Sequence, residues 1–141
     1  MAGYSGTPLP KKLGIKQGCR VAVLGGPVGF AAALEREHGD DTTAFATSLA
    51  GRMPLDAIVL FTKSGANLAK RFSPAAARLT DAGGLWVAWP KKSSGVPTDL
   101  DENRIRDIGL AAGLVDNKVC AIDEVWSGLR FVYRVKDRGR R

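Results

Sequence analysis

The sequence predicts a single α/β domain of Rossmann-like, three-layer build, with a mostly parallel sheet of about six strands that ends in an antiparallel hairpin. Three observations carry this. Compact apolar runs at 20–25, 55–62 and 84–89 have the composition of strands buried on both faces. Capped segments of helical spacing separate them. The last part of the chain reads as two strands meeting at a glycine. The length of 141 residues, 45% hydrophobic and 25% charged with 17 glycines, suits one hydrophobic core.

Taken in order, residues 1–19 form a lead-in whose stretch 8–18 alternates proline, glycine and lysine around Leu9, Leu13 and Ile15, which suits a short helical turn on the domain edge. Arg20 to Gly25 is the first strand. Gly26-Pro-Val-Gly29 turns the chain into a helix from Phe30 to His38, with Phe30, Ala33 and Leu34 apolar and Gly39 as its stop. Thr42 to Leu49 is a weak second strand, suited to an edge, and Leu55 to Thr62 a strong third, suited to the centre. Ser64 caps a segment reaching Arg71, and Ser73-Pro74 restarts a helix that Gly83 closes. Gly84 to Trp89 is the fourth strand. Thr98 or Asp99 caps a helix reaching Ala112, with Ile105, Ile108 and Leu110 as its stripe. Val115 to Trp126 and Leu129 to Val135 are the last two strands, with Ser127-Gly128 as the hairpin turn, and 136–141 is a solvated basic tail.

Right-handed crossovers favour the strand order 2-1-3-4-6-5. The chain then reverses direction across the sheet between strands one and three, and open α/β sheets bind ligands beyond the strand carboxyl ends at such a point. Three loops meet there: the turn with Gly25, Gly26 and Gly29, the pair Lys63 and Ser64, and Lys91, Lys92, Ser93 and Ser94. Glycines let backbone N–H groups approach an anion, and the lysines neutralise a phosphate or carboxylate. These nine residues are the candidate ligand site.

Other chemistries are disfavoured. The turn Gly25-Gly-Pro-Val-Gly29 lacks the G-x-G-x-x-G spacing, and the second strand has no acidic residue at its end for a ribose hydroxyl. The one histidine, His38, ends its helix as a surface residue far from the crevice, against a Ser-His-Asp or Cys-His system. No cluster has metal-ligand spacing, and nothing requires a cofactor. Asp123 and Glu124, neighbours on a strand, face opposite ways and share no acid/base role. Trp86, Trp89 and Trp126 read as packing, and Cys19 and Cys120 as buried thiols. The net charge of +7 is concentrated at the ends, with +4 over 1–34 and +5 over 130–141 against −2 between. No secretory leader or membrane span is read, so the expected location is the cytoplasm.

The chain resembles a bacterial family, domain of unknown function 3052, through Lys12-Leu-Gly-Ile15, Gly84-Leu-Trp-Val-Ala-Trp-Pro-Lys91, Ala111-Ala-Gly-Leu114 and Asp123-Glu-Val-Trp-Ser-Gly-Leu-Arg130. The resemblance implies a small cytoplasmic bacterial protein and assigns no catalytic residue. The final helix and hairpin also look like the end of an S-adenosylmethionine methyltransferase sheet, with a helix and a strand absent between strands two and three. The leading expectation is a non-enzymatic domain for a small anion or nucleotide. The alternatives are a protein or nucleic-acid interaction module using the basic ends, and a degenerate S-adenosylmethionine methyltransferase-like enzyme. The apolar strands and hairpin edge leave room for a homodimer.

Overall fold

The computed structural model describes residues 6–141; residues 1–5 of the expected lead-in lie outside them. The elements run α1 (Leu9–Lys12), β1 (Arg20–Leu24), α2 (Phe30–His38), β2 (Ala44–Ala46), β3 (Leu55–Phe61), α3 (Gly65–Ala76), β4 (Leu79–Pro90), α4 (Glu102–Ala111), β5 (Leu114–Ala121) and β6 (Trp126–Tyr133). One six-stranded sheet has the order β2-β1-β3-β4-β6-β5. Its first four strands are parallel, and β6 runs antiparallel between β4 and β5.

Alternation along the central strands divides the core into two layers. Ala22, Leu24, Ile58, Leu60, Leu85 and Val87 face one way and pack under α3 and α4, through Leu68, Phe72 and Ile105. Val21, Val23, Val59, Phe61 and Trp86 face the other way, under Leu13 and Leu34. The lead-in is therefore more than an edge turn: Leu13 is buried, and its carbonyl accepts the indole N–H of Trp86 at 3.0 Å. All three tryptophans are buried. In α2 the inward residues are Phe30, Ala31 and Leu34, and Ala33 is exposed.

Several local expectations are corrected. The expected pair of helices around Ser73-Pro74 is the single helix α3, because Leu68, Phe72, Ala75 and Ala76 keep one buried stripe running past the proline. Pro74 withholds one N–H from the helix ladder, and the buried stripe outweighs that loss. Gly83, expected to close a helix, lies inside β4 at an irregularity where the register jumps from Leu55↔Leu79 to Ala57↔Gly84. A Cβ there would stand 3.0 Å from the carbonyl oxygens of Leu55 and Asp56, so glycine is kept by close backbone approach.

The hairpin turn lies at 122–125, ahead of Ser127-Gly128. There the Asp123 carboxylate accepts the N–H groups of Val125 and Trp126, each at 2.8 Å, closing an Asx-type turn. Asp123 and Glu124 thus sit in a turn and not on a strand, and Gly128 is inside β6 because a Cβ would meet Trp86 at 3.0 Å and Ile122 at 3.1 Å. Helix α4 is capped by Asp101, whose side chain accepts the N–H of Arg104 at 2.8 Å, and not by Thr98 or Asp99. Asp99 instead accepts the N–H of Gly65, and Thr98 donates to the Lys63 carbonyl, tying this loop to the start of α3.

The segment 136–141 is docked and not frayed. Arg141 lies 3.8 Å from the centre of the Tyr133 ring, donates to the Leu79 carbonyl at 2.7 Å and pairs with Asp81 at 3.2 Å. His38 is also less exposed than expected, with its ring nearly covered and Nε2 2.8 Å from the Thr43 hydroxyl. Both cysteines are half-buried, and burial pushes the Cys120 thiol above its ordinary range. No helix among the described residues is long and apolar enough to cross a membrane.

Candidate ligand site at the sheet switch point

Strand β1 lies between β2 and β3, and the chain leaves these neighbours in opposite directions, so the turn after Leu24 stands at the switch point. Gly25 (φ 67°) and Gly29 (φ 82°) both hold left-handed backbone, which side chains with a Cβ rarely adopt. At Gly25 a Cβ would also stand 3.2 Å from the Phe61 carbonyl oxygen and from the Arg71 guanidinium. Gly29 then becomes the N-cap of α2 without any side-chain cap. Among the described residues, the N–H groups of Gly26, Val28 and Gly29 have no hydrogen-bond acceptor, so the turn presents a short row of open donors.

This turn is the shared wall of two clefts. On the β2 side a cleft of about 490 Å³ runs from Gly25, Gly26 and Gly29 to Glu35 of α2 and to Phe45 and Thr47. On the β3 side a cleft of about 660 Å³ runs from Gly25 and Gly26 to Lys63, Ser64, Arg71 and Trp126. The structure therefore brings Gly25, Gly26, Lys63 and Ser64 together and sets Gly29 on the other side of the same turn.

The third expected loop does not join them with its lysines. The Lys91 N–H donates to the Val125 carbonyl at 2.7 Å, which carries the strand pairing past Pro90. The Ser94 hydroxyl donates to the Lys91 carbonyl at 2.6 Å and closes a turn of 3-10 helix over Lys92–Ser94. Lys92 consequently lines a separate cleft of about 470 Å³ with Gly95, Asp99 and Asp101. Lys91, Ser93 and Ser94 are on the walls of neither cleft beside the glycine turn, to which this loop contributes Val96.

Two residues that the sequence did not single out complete the walls. Glu35 brings a carboxylate to the β2-side cleft from the helix, where the strand end has only Thr47 and Ser48. Arg71 brings a half-buried guanidinium over the turn from the second half of α3. Helical spacing was the available signal: Glu35 lies one turn beyond Ala31 and Ala32, which line the same cleft, and Arg71 lies two turns beyond Ser64. Among the described residues no group of three or more His, Cys, Asp or Glu side chains could hold a metal ion.

The fold is similar to those of solved methyltransferases. An O-methyltransferase of neocarzinostatin biosynthesis, in complex with S-adenosylmethionine and 2-hydroxy-5-methyl naphthoic acid, superposes with a TM-score of 0.66 at 12% identity, over 83% of this chain and 49% of that one. An S-adenosylmethionine-dependent methyltransferase from Aquifex aeolicus gives 0.63 at 14% identity, over 86% and 85%. Magnesium protoporphyrin IX methyltransferase from Synechocystis PCC 6803, with bound S-adenosylhomocysteine, gives 0.59 at 14% identity, over 84% and 75%. The chain thus spans about half the length of the first of these proteins. No family model matches the chain, and no curated protein matches it in sequence. The fold is a single Rossmann-like α/β domain, and these methyltransferase structures share it. The likeness is one of fold, the fold on which the methyltransferase-like alternative rests.

Proposed function

We propose that this chain is a methyltransferase-like domain that binds an adenosyl ligand of the S-adenosylmethionine type across the Gly25–Gly29 turn. The observation that carries the reading is the turn itself: glycine at three of its five positions at the switch point, with open N–H donors and a cleft on each side. Gly25 and Gly26 leave room for a ligand to lie against the backbone, and the N–H groups of Gly26, Val28 and Gly29 suit a carboxylate or hydroxyl oxygen. Glu35 would accept hydrogen bonds from ribose hydroxyls, the role that a carboxylate at the end of β2 would otherwise fill. Phe45 offers an apolar surface in the same cleft. When bound, S-adenosylmethionine supplies an electrophilic methyl group; the protein's own contribution is to position the ligand and exclude water from it.

Calorimetric titration with S-adenosylmethionine and S-adenosylhomocysteine tests this. Binding is expected to stabilise the fold by about 2.7 kcal/mol at a hundredfold excess over Kd. The absence of both heat and thermal shift with the two compounds would refute it.

A further inference from the structure

The polar side of the β3-side cleft is rich in hydrogen-bond donors. Its polar lining includes Lys63, Ser64, Asn67 and Arg71, and no acidic residue lines it among the described residues. The Asn67 side-chain oxygen is already engaged, accepting the Thr62 hydroxyl at 2.8 Å, which leaves its NH2 group facing no acceptor. The Ser64 hydroxyl accepts the Asn67 N–H at 3.1 Å and is likewise committed to the fold. Arg71 is half-buried and has neither an ion pair nor a hydrogen bond among the described residues, unlike Arg104, Arg106 and Arg141, which all pair with carboxylates. A partly desolvated guanidinium without a counter-charge carries a cost that a bound oxyanion removes, and its planar fork suits two oxygens of one carboxylate or phosphate.

The rest of the cleft is apolar and rigid. Phe61 and Trp126 meet edge to face, 4.9 Å between ring centres at 85°, and both are buried. Val96 and Val125 close the outer rim. A ligand seated here meets a cationic, donor-rich side and a hydrocarbon side at once.

We propose that the β3-side cleft binds a second small molecule, an amphipathic oxyanion whose carboxylate or phosphate is held by Arg71, Lys63 and the Asn67 amide while its apolar part lies against Trp126 and Val96. Only its standing as a co-substrate rests on the adenosyl reading of the adjoining turn; the anion site itself stands on this cleft alone.

The test is a titration of the full chain, followed by amide NMR shifts and calorimetry, with phenyl phosphate, benzoate and uncharged benzyl alcohol, with and without S-adenosylhomocysteine. At least one anion is expected to bind about tenfold more tightly than the alcohol, to shift the amides of Lys63, Asn67 and Arg71, and to weaken about tenfold in Arg71→Gln and with rising salt. The order of phenyl phosphate and benzoate tells phosphate from carboxylate. Lys63→Gln, on an exposed side chain, serves as a second variant that leaves folding intact, and is expected to weaken the same anion. Anions binding no better than benzyl alcohol, or unaltered by both substitutions, would overturn the proposal. Anion binding in the absence of any response to S-adenosylhomocysteine would support this site and count against the adenosyl reading.

Discussion

The indole N–H of Trp86, at the centre of β4, donates at 3.0 Å to the carbonyl of Leu13, seventy-three residues earlier in the chain. Both residues are almost fully buried, so this bond fixes the amino-terminal segment across the face of the sheet that α2 alone does not cover. Trp86→Phe leaves a buried carbonyl unpaired and a small void, and is expected to cost about 3 kcal/mol in denaturant unfolding. A loss below about 1 kcal/mol would show the bond to be incidental.

Gly109 lies in the middle of α4, where alanine ordinarily stabilises a helix by about 1 kcal/mol. Here a Cβ would overlap the ring of Phe131, which also stacks edge to face on Phe72 at 5.2 Å. Gly109→Ala is therefore expected to lower stability by about 2 kcal/mol, reversing the usual sign. Unfolding curves of the two proteins decide it.

Acid sensitivity is expected from one carboxylate. Asp40 accepts the hydroxyls of Thr42 and Thr43, each at 2.7 Å, and the Gly18 N–H at 3.1 Å. These bonds, that from Thr42 first, hold its carboxyl far below the ordinary value of 3.8. A pKa lowered on folding contributes stability above the unfolded value, and that contribution is lost as pH falls below about 4. Asp40→Asn should be less stable than the natural chain near neutrality but show a flatter decline between about pH 4 and pH 2. Parallel declines in the two proteins would contradict this.

Glu35 is exposed and bonds no other side chain among the described residues, so Glu35→Gln is expected to leave the melting temperature unchanged. Its affinity for S-adenosylhomocysteine should nevertheless fall about tenfold if the carboxylate holds the ribose. An unchanged Kd would remove Glu35 from the site while leaving the glycine turn in place.

The strand order was legible because each central strand is a continuous apolar run and each crossover is bounded by a cap or glycine, as at Gly29, Gly39 and Ser64. What misled was glycine and proline used for packing in place of turning. Gly83 and Gly128 resemble turn residues in sequence, yet each sits in a strand because a neighbouring backbone or ring approaches too closely for a Cβ. Ser73-Pro74 resembles a helix start, but the buried stripe of α3 continues through it. Of the three expected loops, the two that follow strands β1 and β3 directly meet at one rim, since adjacent parallel strands deliver their ends side by side. The Lys91–Ser94 loop is diverted by its bonds to Val125 and within itself, a tertiary fact with no local signature. Arg71 was missed for a related reason: its role depends on α3 remaining one helix past Ser73.

The most direct measurement is an amide NMR titration of the chain with S-adenosylhomocysteine. The adenosyl reading predicts saturable shifts at Gly25, Gly26, Gly29, Glu35 and Phe45, lost when Gly25→Ala forces a side chain into left-handed backbone beside Arg71. Spectra unchanged at millimolar ligand, or shifts gathered elsewhere on the molecule, would contradict it.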